Sequence, residues 1–210
     1  MDNYSSYWNK KLPENLHKGE HDVWLEKYNF DMYRKDFPFL DLGCGNGEDT
    51  KWLKQNNFEV VSCDFAPSSI ERVKTFNKTA FVFDMRKKEN WTRFDDNSFS
   101  YIVADLSLHY FDTQTTNMIM QEIKRILIPN GQLIARVNSN TDTVFGAGEG
   151  IEIEPNFYKN QERGIDKRFF SVEDANKFFS IIGETFVEAK TITYLGRQKQ
   201  CLEIIAKNNK

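Results

Sequence analysis

Over its first 36 positions the chain mixes charged and apolar residues, is dense in Tyr and Trp, and predicts a helical lead-in. From position 37 short apolar runs take over, at 37–42, 58–63, 80–83, 99–104 and 132–137, and each predicts a buried strand. Amphipathic stretches separate them. The helix predicted over 48–55 carries Trp52 and Leu53. That over 67–76 opens on Pro67 and sets Ile70, Val73 and Phe76 on one face. A clearer stripe lies in 112–127, where Ile119, Ile123, Ile126 and Leu127 share a face and Asp112 is placed to cap the helix. Residues 171–182 open with Ser171 and Asp174, close to a capping box, carry Ala175, Phe178, Phe179 and Ile182 as the apolar face, and stop at Gly183.

Strands alternating with helices require parallel pairing through right-handed crossovers, hence a doubly wound α/β sheet. The end of the chain breaks that rule. Two strand-like runs, 185–195 and 200–206, are joined by a connection far too short for a crossover, so they form an antiparallel hairpin. The expected fold is a mostly parallel seven-stranded sheet finishing in an antiparallel hairpin. It is one domain with four parts: a helical N-terminal cover (1–36), a core (37–137), an irregular insertion (138–170), and a helix with the terminal hairpin (171–210).

Composition narrows the partners. A formal charge of −3 argues against a nucleic-acid grip built on bulk electrostatics. No apolar run approaches membrane-spanning length, and the first residues lack a signal-peptide pattern, so neither a membrane partner nor secretion is expected. Three scattered cysteines, Cys44, Cys63 and Cys201, suit a reduced, cytoplasmic setting. The oligomeric expectation is a monomer or homodimer.

The chemistry concentrates after the first strand, in Leu40-Asp41-Leu42-Gly43-Cys44-Gly45-Asn46-Gly47. Glycines between a strand and a helix let backbone approach a ligand closely. Here the spacing is GxGxG with Glu48 next, and Asp41 precedes the first glycine. That is a poor cradle for pyrophosphate and a good one for an ammonium group. No loop lysine is present, which excludes a P-loop. Asp64, ending the second strand, is placed to accept both hydroxyls of a ribose. Asp84 after the third strand suits the exocyclic amine of adenine, with Met85 or Phe65 against the ring.

These motifs, with Val60-Val61-Ser62-Cys63-Asp64, Phe83-Asp84 and Leu127-Ile128-Pro129-Asn130-Gly131, resemble the class I S-adenosylmethionine-dependent methyltransferases, which have a Rossmann-like fold. The resemblance spans about 37–207. It implies S-adenosylmethionine as cofactor, bound by Asp41, Gly43, Cys44, Gly45, Gly47, Asp64, Phe65, Asp84, Met85 and Asp105. Asp105 is not followed by Pro-Pro-aromatic and no Pro-Cys dipeptide is present, which disfavours nucleic-acid acceptors. A small-molecule acceptor is therefore expected, with a protein methyltransferase or a non-catalytic cofactor-binding domain as the alternatives.

His109 and Tyr110 follow the fourth strand and either face the acceptor, His109 as a base, or pack under the following helix. No metal site is expected. The segment 138–170, with a glycine-rich run and five aromatics, reads as a lid. Nine of the 30 aromatics lie in 1–40, and together with the lid they would wall the sulfonium and its acceptor.

Overall fold

The computed structural model describes residues 22–160 and 164–210. Its seven-stranded sheet contains β1 (Phe39–Leu42), β2 (Val60–Asp64), β3 (Ala80–Val82), β4 (Phe99–Asp105), β5 (Leu127–Asn138), β9 (Gly183–Tyr194) and β10 (Arg197–Asn208), in the order β3-β2-β1-β4-β5-β10-β9. The first five are parallel. β10 runs antiparallel between β5 and β9. The helices are α1 (Glu48–Gln55), α2 (Pro67–Val73), α3 (Thr113–Ile126) and α4 (Val172–Phe179). None of the described helices is long and apolar enough to cross a membrane.

Both faces of the central strands are buried, and the period of two sorts the residues between them. Leu40, Leu42, Ile102, Ala104, Leu133 and Ala135 face α3 and α4, joining Ile119, Ile123, Phe178 and Phe179. The alternate positions Phe39, Tyr101, Val103 and Ile134 form a second core with Leu53, Trp24 and Leu25. Helix ends follow their local chemistry. The Asp112 carboxylate accepts from the Thr115 N–H at 2.7 Å, and Ser171 and Asp174 complete a reciprocal capping box.

Two expectations are corrected. The lead-in is not helical over its described part: only Trp24–Lys27 makes a 3-10 turn. Tyr28, Phe30, Met32 and Tyr33 lie against the second core instead, with the Phe30 ring 5.1 Å from those of both Phe39 and Tyr101. Residues 1–21, with Tyr4, Tyr7 and Trp8, lie outside the described residues. The insertion is also more regular than its sequence suggests. It folds into a small antiparallel sheet, β6 (Ile151–Glu154), β7 (Phe157–Asn160) and β8 (Ile165–Arg168). This sheet is fastened to the start of α3, where Glu154 accepts from the Thr113 N–H (2.9 Å) and hydroxyl (2.6 Å) and pairs with buried Arg168 at 2.6 Å.

Candidate active site at the carboxyl ends of the parallel strands

The strand order reverses between β1 and β4, and a cavity of about 870 Å³ opens beyond their carboxyl ends. Asp41, Asp64, Asp84 and Asp105 come from or just after four adjacent strands and all line it. Gly43, Cys44, Gly45, Phe65 and Met85 line it as well. Of the residues implied by the resemblance only Gly47 stands behind the wall. It caps α1 at φ +80°, where a Cβ would come within 2.7 Å of Val73 and Phe76.

Gly43 holds the loop close to the fourth strand's exit. Its φ is +84°, and a Cβ there would sit 2.4 Å from that of Ser107, whose hydroxyl donates to the Leu42 carbonyl at 2.7 Å. The loop's N–H groups are largely spent inside the protein. Those of Gly43 and Cys44 go to the Cys63 carbonyl, that of Gly45 to Asp64 and that of Gly47 to the Cys44 carbonyl. A phosphate cradle needs those donors turned outward. This loop offers carboxylates instead.

Seven carboxylates line the cavity (Asp22, Asp41, Glu48, Asp49, Asp64, Asp84 and Asp105) against two guanidiniums, Arg86 and Arg136. Burial pushes the Asp41 carboxyl up to about 7, with Asp105 and Asp64 adding to the effect and the Thr50 hydroxyl opposing it. Asp49 is raised well above its ordinary value by burial and by Asp105 and Asp41, although the Trp24 indole donates to it at 3.0 Å. A cation entering here would relieve both.

Asp64 is raised by burial despite the N–H groups of Gly45 (2.9 Å) and Ala66 (2.7 Å), one on each carboxylate oxygen. Each oxygen keeps a lone pair for a hydroxyl donor. Asp84 receives the fork of Arg86 at 2.9 Å on both oxygens, plus the Arg86 N–H at 3.0 Å on Oδ1, so Oδ2 retains acceptor capacity. Asp105 is gripped by Arg136 at 2.6 and 2.7 Å, and Arg136 also binds Asp22.

Tyr110 lines the cavity, but His109 does not. The His109 ring is buried, its Nδ1 accepts from the Asn138 N–H at 3.4 Å, and its carbonyl accepts from the Arg168 N–H at 2.8 Å. Burial, with Lys199 and Lys167 nearby, holds its pKa well below the ordinary value. His109 thus follows the packing alternative and not the base: its ring sits in the core between β4's exit and β5.

The lid expectation is corrected too, because none of the described residues of 138–170 lines the cavity. That wall is made by Thr191–Gly196 at the tip of the β9–β10 hairpin. Sequence reasoning also missed Asp49 and Arg136. Asp49 sits one residue inside α1, two beyond Gly47, and that position was the only signal for it. Arg136 is a lone cation in an otherwise apolar β5 run, which called for a buried partner.

Residues 40–135 match a family described as a methyltransferase domain. An uncharacterised methyltransferase of Schizosaccharomyces pombe is 27% identical over 139 residues, covering 64% of this chain and 54% of its own length. The chain thus spans about half the length of that curated relative. Among solved structures, an S-adenosylmethionine-dependent methyltransferase from Methanosarcina mazei superposes with a TM-score of 0.72 at 18% identity, covering 90% of this chain and 99% of its own. The Burkholderia thailandensis 1,6-didemethyltoxoflavin-N1-methyltransferase, solved with 1,6-didemethyltoxoflavin and S-adenosylhomocysteine, gives 0.63 at 16% identity over 99% of this chain and 89% of its own. Residues 40–135 thus match a methyltransferase-domain family, and the chain has the fold of solved S-adenosylmethionine-dependent methyltransferases, with an acid-lined cavity at the switch point of its seven-stranded sheet.

Proposed function

We propose that the protein transfers a methyl group from S-adenosylmethionine to a small-molecule acceptor. The observation that carries this reading is the ring of acids on adjacent strand ends around a glycine turn whose own donors are spent internally. It suits a ligand with a cationic amino-acid end, a ribose and an adenine. In that reading Asp41 and Asp49 face the ammonium end, Asp64 takes the ribose hydroxyls, Asp84 takes the adenine amine, and Phe65 and Met85 flank the ring.

When bound, this cofactor supplies an electrophilic methyl group on a sulfonium. The chain's contribution is alignment and dryness. Tyr110, Phe111 and the hairpin tip add apolar lining to the cavity. Orientation of this kind supplies about 7–11 kcal/mol of a barrier. A cavity of this volume falls in the range typical of small-molecule sites. The small N-heterocycle named for the Burkholderia neighbour supports the same acceptor class.

The test is incubation of the purified protein with methyl-labelled S-adenosylmethionine and a fractionated metabolite extract. Label is expected in a low-molecular-weight product. Label in added protein and in no metabolite would refute the small-molecule reading.

A further inference from the structure

Subtracting the strand-end acids and the glycine loop from the cavity wall leaves a second set of residues. At β4's exit its apolar and aromatic members are Leu106, Tyr110 and Phe111, and at the hairpin tip Ile192, Tyr194 and Leu195. The tip is an overhang. β10 pairs with β5 only from Cys201 to Lys207, whereas its pairing with β9 continues four rungs further, from Gln200 with Thr191 to Arg197 with Tyr194.

The overhang is braced from behind. Lys199 and Asp142, both buried, pair at 2.8 Å, the Gln200 N–H reaches Asp142 at 3.2 Å, and the Phe145 and Tyr194 rings meet at 5.6 Å. The insertion therefore buttresses the wall it was expected to form.

The backbone carries an independent mark. Among the described residues six non-glycines have positive φ; four are asparagines, the residue that best tolerates this conformation, and two are leucines, Leu106 and Leu195. Both leucines line the cavity. Leu195 (φ +51°) precedes Gly196 (φ +72°) in a two-residue hairpin turn, where Asn-Gly is the favoured pair. A leucine held there against local preference points to a use for its side chain.

The wall's charge decides what fits. Arg86 is committed to Asp84 and Arg136 to Asp105 and Asp22, so no lining cation among the described residues is left for an anion. We propose that the hairpin overhang, through Leu195, Tyr194 and Ile192, forms the acceptor subsite together with Tyr110 and Phe111, and that it takes a flat, uncharged or cationic molecule and rejects anionic ones. This rests on the methyltransferase reading for which half of the cavity is left to the acceptor.

The test uses three probes of one shape and different charge at pH 8: quinoline, 1-methylquinolinium and quinoline-2-carboxylate. Each is titrated by calorimetry into the wild type and Leu195→Asn, with and without saturating S-adenosylhomocysteine. The neutral and cationic probes are expected to bind at least tenfold more tightly than the carboxylate. Leu195→Asn is expected to raise Tm, weaken quinoline at least fivefold, and leave S-adenosylhomocysteine affinity within twofold. Carboxylate binding as tight as quinoline, no quinoline binding by the wild type, or a variant with unchanged quinoline affinity or lowered Tm would each overturn the subsite. Failure of the wild type to bind S-adenosylhomocysteine would instead overturn the cofactor reading, since the probes are also titrated alone.

Discussion

Asp41 carries a conflict between stability and binding. Folding buries it among Asp105 and Asp64 and lifts its carboxyl from about 4 to about 7, so the folded protein holds a proton that the unfolded chain releases. Its contribution is fully present below about pH 4 and is lost as pH rises through 7. Asp41→Asn is therefore expected to raise the Tm of the ligand-free protein at pH 8 more than at pH 5, while weakening S-adenosylmethionine binding at least tenfold. A cation beside Asp41 favours its ionised form, so wild-type affinity should climb by up to about tenfold per pH unit below 7 and flatten above it. Calorimetry in buffers of different ionisation enthalpy would show the matching proton release. The glycines make a second residue-scale contrast. Gly43→Ala meets both a positive φ and Ser107 at 2.4 Å, whereas Gly148→Ala has a positive φ but nothing within 4 Å. Urea unfolding should show Gly148→Ala costing about 1 kcal/mol and Gly43→Ala clearly more.

At the scale of elements, what was legible followed from periodicity. The α1 range matches its prediction, and the capping residues Asp112 and Ser171 stand where the sequence placed them. Replacing Ser171 by Ala is expected to cost about 1 kcal/mol in chemical denaturation, because the Asp174 N–H loses its acceptor. The elements that escaped had no such period. β6 to β8 are four residues each and rich in charge, and their apolar residues divide between buried Phe157 and Ile165 and exposed Ile151 and Ile153. The described lead-in packs Trp24, Tyr28, Phe30 and Tyr33 against the second core in extended and turning chain, so there aromatic density was a sign of packing and a false sign of helix. The glycine loop and Asp64 were readable because backbone geometry and strand ends fix them locally. Asp49, Arg136 and the hairpin tip enter the cavity only through tertiary pairing, which no local pattern encodes. The choice between the two readings of His109 was hidden for the same reason, since its partner Asn138 lies on β5.

The whole molecule is nearly balanced in charge at −3, yet its cavity gathers seven acids against two bases. The sheet order produces this concentration by bringing four strand ends together at one reversal. Ligand selectivity should follow the cavity rather than the surface. S-adenosylhomocysteine at about 100 times its Kd should stabilise the fold by about 2.7 kcal/mol, seen as a Tm rise of several degrees, while NADH at equal concentration leaves Tm unchanged. The most direct test of the central claim is calorimetric titration of S-adenosylhomocysteine into the wild type and Asp64→Ala. A saturable one-site isotherm for the wild type, weakened at least a hundredfold in a folded Asp64→Ala, is the predicted result. Equal affinity in the two proteins, or binding of NADH with none of S-adenosylhomocysteine, would contradict it.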